Sequence, residues 1–280
     1  MILKRSAIAA IVVVICSVVP VVAQPEEPDY LRDRGTGIPV SMFGTYINKG
    51  ELLVYPFYEY YHDNNYEYEA AEFGYGSTDE LRGQYEAHEF LLFIGYGISD
   101  RLALELEAGV ITAELEKSPG DLSPLPAEFS ESGISDVEGQ LRWRWVAESQ
   151  QRPEIFSYFE TVFPTGEKNS LIGTSDWEFK LGSGLVKGFS FGTMTVRLAA
   201  EYSAEEDKFE SGEYAVEYLR KLSNTFKIFV GAEGSEDEIE LITDLQIRLR
   251  PNITMKINNA FGVTSKATDY APEFGVLFSF

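Results

Sequence analysis

The last nine residues of the chain, PEFGVLFSF at 272–280, decide how the whole sequence is interpreted. Counting back from the C-terminal residue, Phe280, Phe278, Val276 and Phe274 occupy every second position. This period of two is typical of a β-strand with one apolar face. A soluble domain rarely leaves such a strand at a free end. In lipid no backbone edge can stay unpaired, so a last strand of this kind predicts a barrel that closes against its first strand.

The same period recurs in long segments elsewhere in the chain. Residues 238–250 place apolar and charged side chains on opposite faces. The apolar face consists of Ile239, Leu241, Leu245, Ile247 and Leu249. The other face consists of Glu238, Glu240, Asp244, Gln246, Arg248 and Arg250. Residues 134–147 alternate in the same way, and two such faces cannot both meet the same solvent.

Twelve segments of this kind are predicted as strands. They are 51–62, 86–98, 102–112, 134–147, 154–163, 175–187, 190–202, 209–221, 225–233, 238–250, 253–263 and 270–280. The connections at one end are short, at 99–101, 148–153, 188–189, 222–224 and 251–252. Those at the other end include three longer ones, 63–85, 113–133 and 164–174. An even strand number with short turns at the end that carries both termini is typical of outer-membrane barrels, whose termini face the periplasm.

A soluble antiparallel sandwich is the alternative fold, because its strands also alternate and turn their apolar faces inward. The predicted strands are longer than the roughly five or six residues typical of soluble sheets. Aromatic residues near the strand ends fit the interfacial girdles of a membrane barrel. These are Tyr55, Tyr58, Tyr60, Tyr61, Trp143, Trp145, Tyr202, Tyr214 and Tyr218. We therefore predict an all-β fold, a transmembrane antiparallel up-and-down β-barrel of about 12 strands over residues 51–280.

Residues 1–23 have the features of a cleaved signal peptide. Lys4 and Arg5 precede an apolar run over 8–22, and the small residue Ala23 follows it. An uncleaved membrane anchor is the alternative, which a proline near the end of the run disfavours. The signal peptide predicts export to the outer membrane of a Gram-negative-type cell envelope.

Cysteine usage limits the chemistry of the exported chain. Cys16 is the single cysteine and lies within the predicted signal peptide. Its lipidation is disfavoured because Ile15 stands where a small residue is expected. Cleavage after Ala23 would leave no thiol for disulfides, cysteine catalysis or thiolate metal sites. No cofactor and no metal site are expected.

Charge and composition narrow the partners. The formal net charge is −22, which argues against nucleic acid, because phosphate binding needs clustered Lys and Arg. With 44% hydrophobic and 14% aromatic residues, the chain is too apolar to be a disordered acidic segment. The expected partners are outer-membrane lipids and lipopolysaccharide, a small-molecule solute, and the barrel assembly machinery, which would recognise the C-terminal strand ending at Phe280.

Five phrases in order resemble a known family. They are NKGELLVYPFYEYY from Asn48, GISDRLALELEAGV from Gly97, GISDVEGQLRWRW from Gly133, FPTG at 163–166 and GTSDWEFKLGSGLVKG from Gly173. Together they resemble the outer-membrane barrels named for the MetA pathway of phenol degradation. The resemblance covers most of the mature chain and implies a barrel that passes small molecules, aromatic ones among them. The family lends no catalytic residues.

Inward-facing charges are the best candidates for a functional lining. They are Glu105, Glu107, Glu138, Arg142, Arg144, Glu160, Glu178, Lys180, Arg197, Glu201, Glu217, Lys227, Asp244, Arg248 and Lys256. Twelve strands about 4.8 Å apart and tilted by about 40° enclose a backbone radius of roughly 12 Å. Inward side chains nearly fill that radius. The charges therefore either pair across a packed lumen or line a narrow polar path, widened where glycines leave space.

Three aromatic residues share the inward parity: Phe156, Tyr158 and Phe229. Rings in a polar lumen would suit a ring-shaped apolar solute. Packing alone explains them equally well, so both interpretations stand at this point.

Two segments without strand alternation have open roles. Residues 24–50 are rich in proline and glycine and could fold into the lumen as a plug or trail in the periplasm, with the trailing state slightly favoured. Loop 63–85 carries many carboxylates among tyrosines and could hold divalent cations at the lipopolysaccharide surface. A solvated acidic loop is the simpler interpretation, because no known calcium-loop spacing is present.

The sequence favours a channel over an enzyme. The histidines are His62 and His88, and His88 shares its face with apolar residues near the outer interface, where a lipid hydrolase could act. No serine motif accompanies it. We predict a non-enzymatic outer-membrane channel for small solutes that works by passive diffusion. The alternative is a structural or surface-interaction barrel without transport.

Overall fold

A closed antiparallel β-barrel forms most of the chain. The computed structural model describes residues 28–165, 171–174, 177–203, 208–235 and 238–280, so the predicted signal peptide lies outside the described residues. Its elements begin with a 3-10 turn at Asp29–Leu31 and two short strands, β1 (Ile38–Pro39) and β2 (Tyr46–Ile47). No helix within these residues has the length and hydropathy needed to span a bilayer.

Thirteen further strands form the wall. They are β3 (Leu52–Glu69), β4 (Glu80–Ser99), β5 (Leu102–Glu116), β6 (Glu128–Ile134), β7 (Val137–Val146), β8 (Glu154–Phe163), β9 (Glu178–Phe189), β10 (Gly192–Ser203), β11 (Lys208–Lys221), β12 (Phe226–Ser235), β13 (Glu238–Arg250), β14 (Ile253–Gly262) and β15 (Tyr270–Ser279). β7 pairs with the first half of β5 and β6 with the second half, so β6 and β7 together count as one strand around the wall. The described wall is therefore 12 strands around, as predicted.

The C-terminal strand closes the barrel, as the alternation predicts. β15 pairs antiparallel with β3, with Phe278 opposite Val54 and Tyr270 opposite His62. Phe274 and Phe280 are exposed on the outer surface, whereas Glu273 is buried inside. The apolar stripe of residues 274–280 therefore faces outward on the closing strand.

Exposure along the wall excludes the sandwich. Leu241, Leu245 and Trp143 are 40, 37 and 40% exposed, so they are not sealed between two sheets. Asp244 and Gln246, on the opposite face of β13, are buried. The apolar faces thus point outward around the barrel and the polar faces point inward.

Two predicted outer loops are shorter than expected because the strands extend beyond the predicted bounds. The wall continues through Asn64 and Asn65, where the pairing of β3 with β4 shifts register between Asp63 and Tyr66. The connection that remains is 70–79 rather than 63–85. Likewise β6 occupies part of the predicted loop 113–133. Polar residues at a bulge hide the alternation, which is why the sequence prediction stopped early.

A charge on the outer face tests this arrangement. We expect Leu141→Arg to lower the free energy of unfolding by about 2–4 kcal/mol, the cost of Arg near the middle of a lipid-facing barrel surface. Leu141 is exposed on β7, and Glu138 lies inside on the same strand. Glu138→Arg is the matched control and should change stability little. Urea unfolding in lipid vesicles measures both, and equal effects would contradict the assignment of faces.

Candidate functional site

The N-terminal segment occupies one end of the barrel, where β3 begins and β15 ends, and we call this end the inner mouth. We call residues 28–50 the plug. Its strands β1 and β2 form a hairpin, with Ile38 opposite Ile47. Of the two arrangements left open by the sequence, the described residues take the one inside the lumen, not the slightly favoured trailing one. Ile38, Val40 and Ile47 are buried there, and this burial accounts for the choice.

Apolar residues of the wall receive one side of the plug. The cluster combines the three buried plug residues with wall residues of β3, β4 and β5. The wall members are Leu53, Tyr55, Phe57, Phe93 and Ala103. This sector of the lumen is therefore apolar, and the plug covers it.

The base of the plug is fixed by a buried ion-pair network. Arg34 lies 2.9 Å from a carboxylate oxygen of Glu148 and 2.9 Å from one of Glu154. Lys187 lies 3.1 Å from the other oxygen of Glu148, and Arg144 lies 3.0 Å from that of Glu154. The side chains of Arg34 and both carboxylates are at most 1% exposed. Arg144 also donates to the carbonyl oxygens of the plug at 36 and 37.

The tip of the plug, residues 41–45, reaches across the barrel. On one side the backbone N–H and hydroxyl of Ser41 donate to Glu105 Oε2 at 2.8 and 2.5 Å. On the other side Gln246 Nε2 and Lys256 Nζ donate to the Phe43 carbonyl oxygen, each at 3.0 Å. The tip therefore bridges β5 to β13 and β14.

The tip of the plug also packs against the wall through an aromatic contact. The Phe43 ring lies 5.4 Å from the Phe229 ring, in a cluster with Leu219 and Ile242. Gly44 has φ +61, and a Cβ there would lie 2.9 Å from Leu219 Cδ1. Both the left-handed backbone and the close approach require glycine at this position. Phe229, one of the three aromatic residues predicted to face the lumen, is therefore covered by the plug.

The other two aromatic residues predicted to face the lumen are buried by packing. Phe156 and Tyr158 are 0 and 2% exposed. The Arg142 guanidinium lies 5.8 Å and 5.0 Å from their ring centroids. A Cβ at Gly182 would lie 2.1 Å from Tyr158 Cζ, so this glycine accommodates the ring and does not widen a path. The burial agrees with the packing interpretation of these rings.

The predicted inward charges form several wall pairs. Arg142 Nε lies 2.8 Å from Glu105, and Lys256 Nζ lies 3.5 Å from Asp244, and all four side chains are buried. Arg144 belongs to the network at the plug base. Arg248 donates to the Pro251 carbonyl at 2.9 Å and, with Lys227, lines the inner opening beside the plug.

Two further groups of predicted charges pair within the wall. Lys180 is 3.2 Å from Glu160 and 3.9 Å from Glu201. Arg197 contacts Glu217 at 2.7 Å and Glu233 at 3.0 Å, and it also pairs with Glu213. Opposite charges thus pair along the wall on this side.

The remaining predicted charges line an acidic cavity in the outer half of the lumen. Its volume is about 260 Å³. The carboxylates that line it are Glu59, Glu89, Glu107, Asp136, Glu138 and Glu178. Tyr61, Leu91, Ile111 and Ile172 supply apolar surface. The predicted lining included Glu107, Glu138 and Glu178 but not Glu59, Glu89 or Asp136. Aromatic residues on both faces of 55–61 hide the inward orientation of Glu59.

An apolar cap covers the acidic cavity on the outer side. It joins the upper parts of β3 to β5 with residues of the connecting loops, among them Phe73, Leu125 and Leu171. Among the described residues, no group of three or more His, Cys, Asp or Glu is placed to hold a metal ion. Glu67 of the acidic segment 63–85 pairs with Arg82 and with Lys266.

Both histidines lie in an aromatic patch on the outer surface. Tyr58 OH is 2.7 Å from His88 Nδ1, and the Tyr60 ring packs 5.0 Å from the His88 ring. His62 stacks on Tyr270 at 5.0 Å. The hydrogen-bond partner of His88 is a tyrosine rather than a serine, and aromatic girdles of this kind are typical of barrel interfaces.

Comparisons with known proteins define the class of fold. No protein-family model and no curated protein matches the sequence. The crystal structure of an outer membrane channel from Pseudomonas putida F1 aligns with 86% of this chain and 99% of its own, with a TM-score of 0.62 and 12% identity. The translocator domain of the autotransporter NalP from Neisseria meningitidis aligns over 84% and 90%, with a TM-score of 0.54 and 9% identity.

A third similarity is looser. The monoaromatic hydrocarbon channel CymD aligns over 84% of this chain and 89% of its own with a TM-score of 0.43 and 8% identity, too distant to bear on solutes. The fold is thus that of an outer-membrane-type β-barrel, and the neighbours are channels and translocators rather than enzymes.

Proposed function

We propose that this chain is an outer-membrane channel that passes small solutes by passive diffusion, with the plug in its inner mouth. One observation carries the proposal: a single closed barrel encloses a charge-lined outer cavity, and a separate segment fills the inner mouth. A barrel built only for structure needs no cavity of this kind. The proposal includes export by a signal peptide at 1–23 and recognition of the strand ending at Phe280 by the assembly machinery.

The charge of the lining favours particular solutes. Carboxylates dominate the outer cavity, and carboxylate-lined passages favour cations over anions. The apolar surface of Tyr61, Leu91 and Ile111 beside them suits solutes that also carry an apolar part. We therefore propose small neutral or cationic solutes as the preferred class.

Passage of aromatic solutes is a finer proposal that rests on the resemblance to the MetA-pathway barrels. Inward rings are present at 156, 158 and 229, but packing and the plug cover them. Of these, Phe229 would become accessible if the tip of the plug moved.

A structural or surface-interaction barrel is the second candidate, because the inner mouth is filled and an apolar cap covers part of the outer end. Planar-bilayer recording of the purified full chain decides between the two. Discrete conductance steps are expected for a channel. Silence at all voltages would favour the structural barrel.

Neutralising the cavity carboxylates should change ion selectivity. We expect Glu89→Gln, Glu107→Gln and Glu138→Gln together to lower the cation-to-anion permeability ratio about twofold or more, because they remove negative potential from the path. The readout is the reversal potential in a salt gradient.

The matched control removes three charges from outside the lumen. Glu114, Glu116 and Glu128 are exposed near the outer end of the wall. Their replacement with Gln should leave the permeability ratio nearly unchanged. Equal effects of the two triple variants would show that overall charge, not the lining, sets selectivity.

A further inference from the structure

We propose that the plug is detachable and that Arg34 is its latch, because the two wall carboxylates that Arg34 contacts each keep a wall cation without it. This inference rests on the proposed channel function and gives it an open state.

The network at the plug base remains paired when the plug is removed. Glu148 keeps Lys187 at 3.1 Å, and Glu154 keeps Arg144 at 3.0 Å. Both of these cations belong to the wall. Arg34 is thus an additional cation shared by two carboxylates that are already paired. A buried carboxylate that lost its sole partner would strongly oppose release, but neither carboxylate is in that position.

The contacts at the tip follow the same pattern. Ser41 binds Glu105, which keeps Arg142 at 2.8 Å. Phe43 accepts from Lys256, which keeps Asp244 at 3.5 Å. Departure of the tip therefore removes hydrogen bonds but leaves both ion pairs complete.

One wall cation does lose its carboxylate. Arg220 lies 3.6 Å from Asp33 of the plug, and its side chain is 28% exposed at the inner mouth. It also donates to the Ser190 carbonyl at 2.9 Å. Water and this carbonyl can solvate it after release, so the cost is small.

A glycine turn connects the plug to the barrel. Gly50 joins the plug to β3 with φ +76, and a Cβ there would meet no atom within 4 Å. Against release stand the apolar contacts of Ile38, Val40, Ile47 and Phe43. These contacts make the closed state the resting state, and Arg34 adds the ionic contact that a single substitution can remove.

Thiol labelling tests the proposal in the full chain, with Cys16→Ser as background. Ala103 lies beneath the plug and Ala87 beneath the outer cap, and both are 0% exposed. The protein is folded in lipid vesicles and exposed to a charged maleimide. We expect Ala103→Cys to react measurably and Ala87→Cys to stay unreactive. Adding Arg34→Met should speed the reaction at position 103 about tenfold or more and leave position 87 unchanged.

Arg32 supplies the control for the latch. It is a plug cation that donates to the Ser190 carbonyl at 2.7 Å and contacts no wall carboxylate within the described residues. Arg32→Met should leave the labelling rate at position 103 nearly unchanged. If the alanine variants fail to fold, Leu53→Cys under the plug and Leu115→Cys under the cap replace them, since both are buried leucines that lose volume.

The outcomes separate the inference from the function. Labelling that depends on Arg34 without any bilayer current would support the detachable plug and refute the channel. Current without labelling at position 103 would support the channel and overturn the detachable plug. Equal acceleration at positions 103 and 87 by Arg34→Met would also overturn it, because it would report a general loss of stability.

Discussion

Deletion of residues 28–47 is expected to raise the single-channel conductance about tenfold or more, because it clears an inner mouth whose backbone radius is roughly 12 Å. The plug tip bridges Glu105 on β5 to Lys256 on β14, so the plug occupies part of this cross-section. The deletion keeps the turn at Gly50, whose N–H donates to the Gly97 carbonyl at 2.6 Å. Planar-bilayer recording of the full chain and the deletion variant measures the change.

The rise in conductance can be attributed to loss of the plug only if the deletion variant still folds as a barrel. The wall ion pairs at Glu148, Glu154 and Glu105 survive the deletion, so we expect folding to persist. Different migration of unboiled and boiled samples in a detergent gel checks it. A folded deletion variant with unchanged conductance would show that the outer cap, not the plug, limits the current.

The latch variant links this result to the detachable plug. Arg34→Met leaves the plug in the chain, so its open events should have the amplitude of the deletion variant but occur only part of the time. A uniform small increase in current, without such events, would mean that the substitution merely widens a fixed passage around the plug.

The barrel could be predicted because the alternation within each strand shows which of its two faces is apolar. The bounds of β8 and β13 coincide with the predictions at 154–163 and 238–250. Alternation is a local property, set by which side of one strand meets lipid. It fails where the pairing is irregular, as at Asn64 and Asn65 in β3 and around Ser135 and Asp136 between β6 and β7.

The site was less predictable because its contacts are long-range. Parity placed Arg142, Glu105 and Asp244 inside, but it could not say which charges would meet. Arg34 was not singled out, since residues 24–50 show no periodicity and its partners, Glu148 and Glu154, lie more than a hundred residues further on. Tertiary burial decides such contacts, and no local pattern encodes it.

Arg142→Met is expected to lower the free energy of unfolding by about 3–5 kcal/mol, the cost of leaving one member of a buried ion pair without its partner. The side chains of Arg142 and Glu105 are 2 and 3% exposed, with 2.8 Å between Nε and Oε1. Loss of the guanidinium leaves Ser41 of the plug as the remaining partner of Glu105 among the described residues. Urea unfolding in lipid vesicles measures the change.

A second substitution separates the pair from the packing around it. Arg142→Met with Glu105→Gln should recover most of the lost stability, because an uncharged amide costs far less to bury and can still accept from Ser41. Arg248→Met, at the exposed inner rim, is the control and should cost within about 0.5 kcal/mol. If the double variant is as unstable as Arg142→Met alone, the contacts of Arg142 with Phe156 and Tyr158 stabilise the wall here, and the ion pair does not.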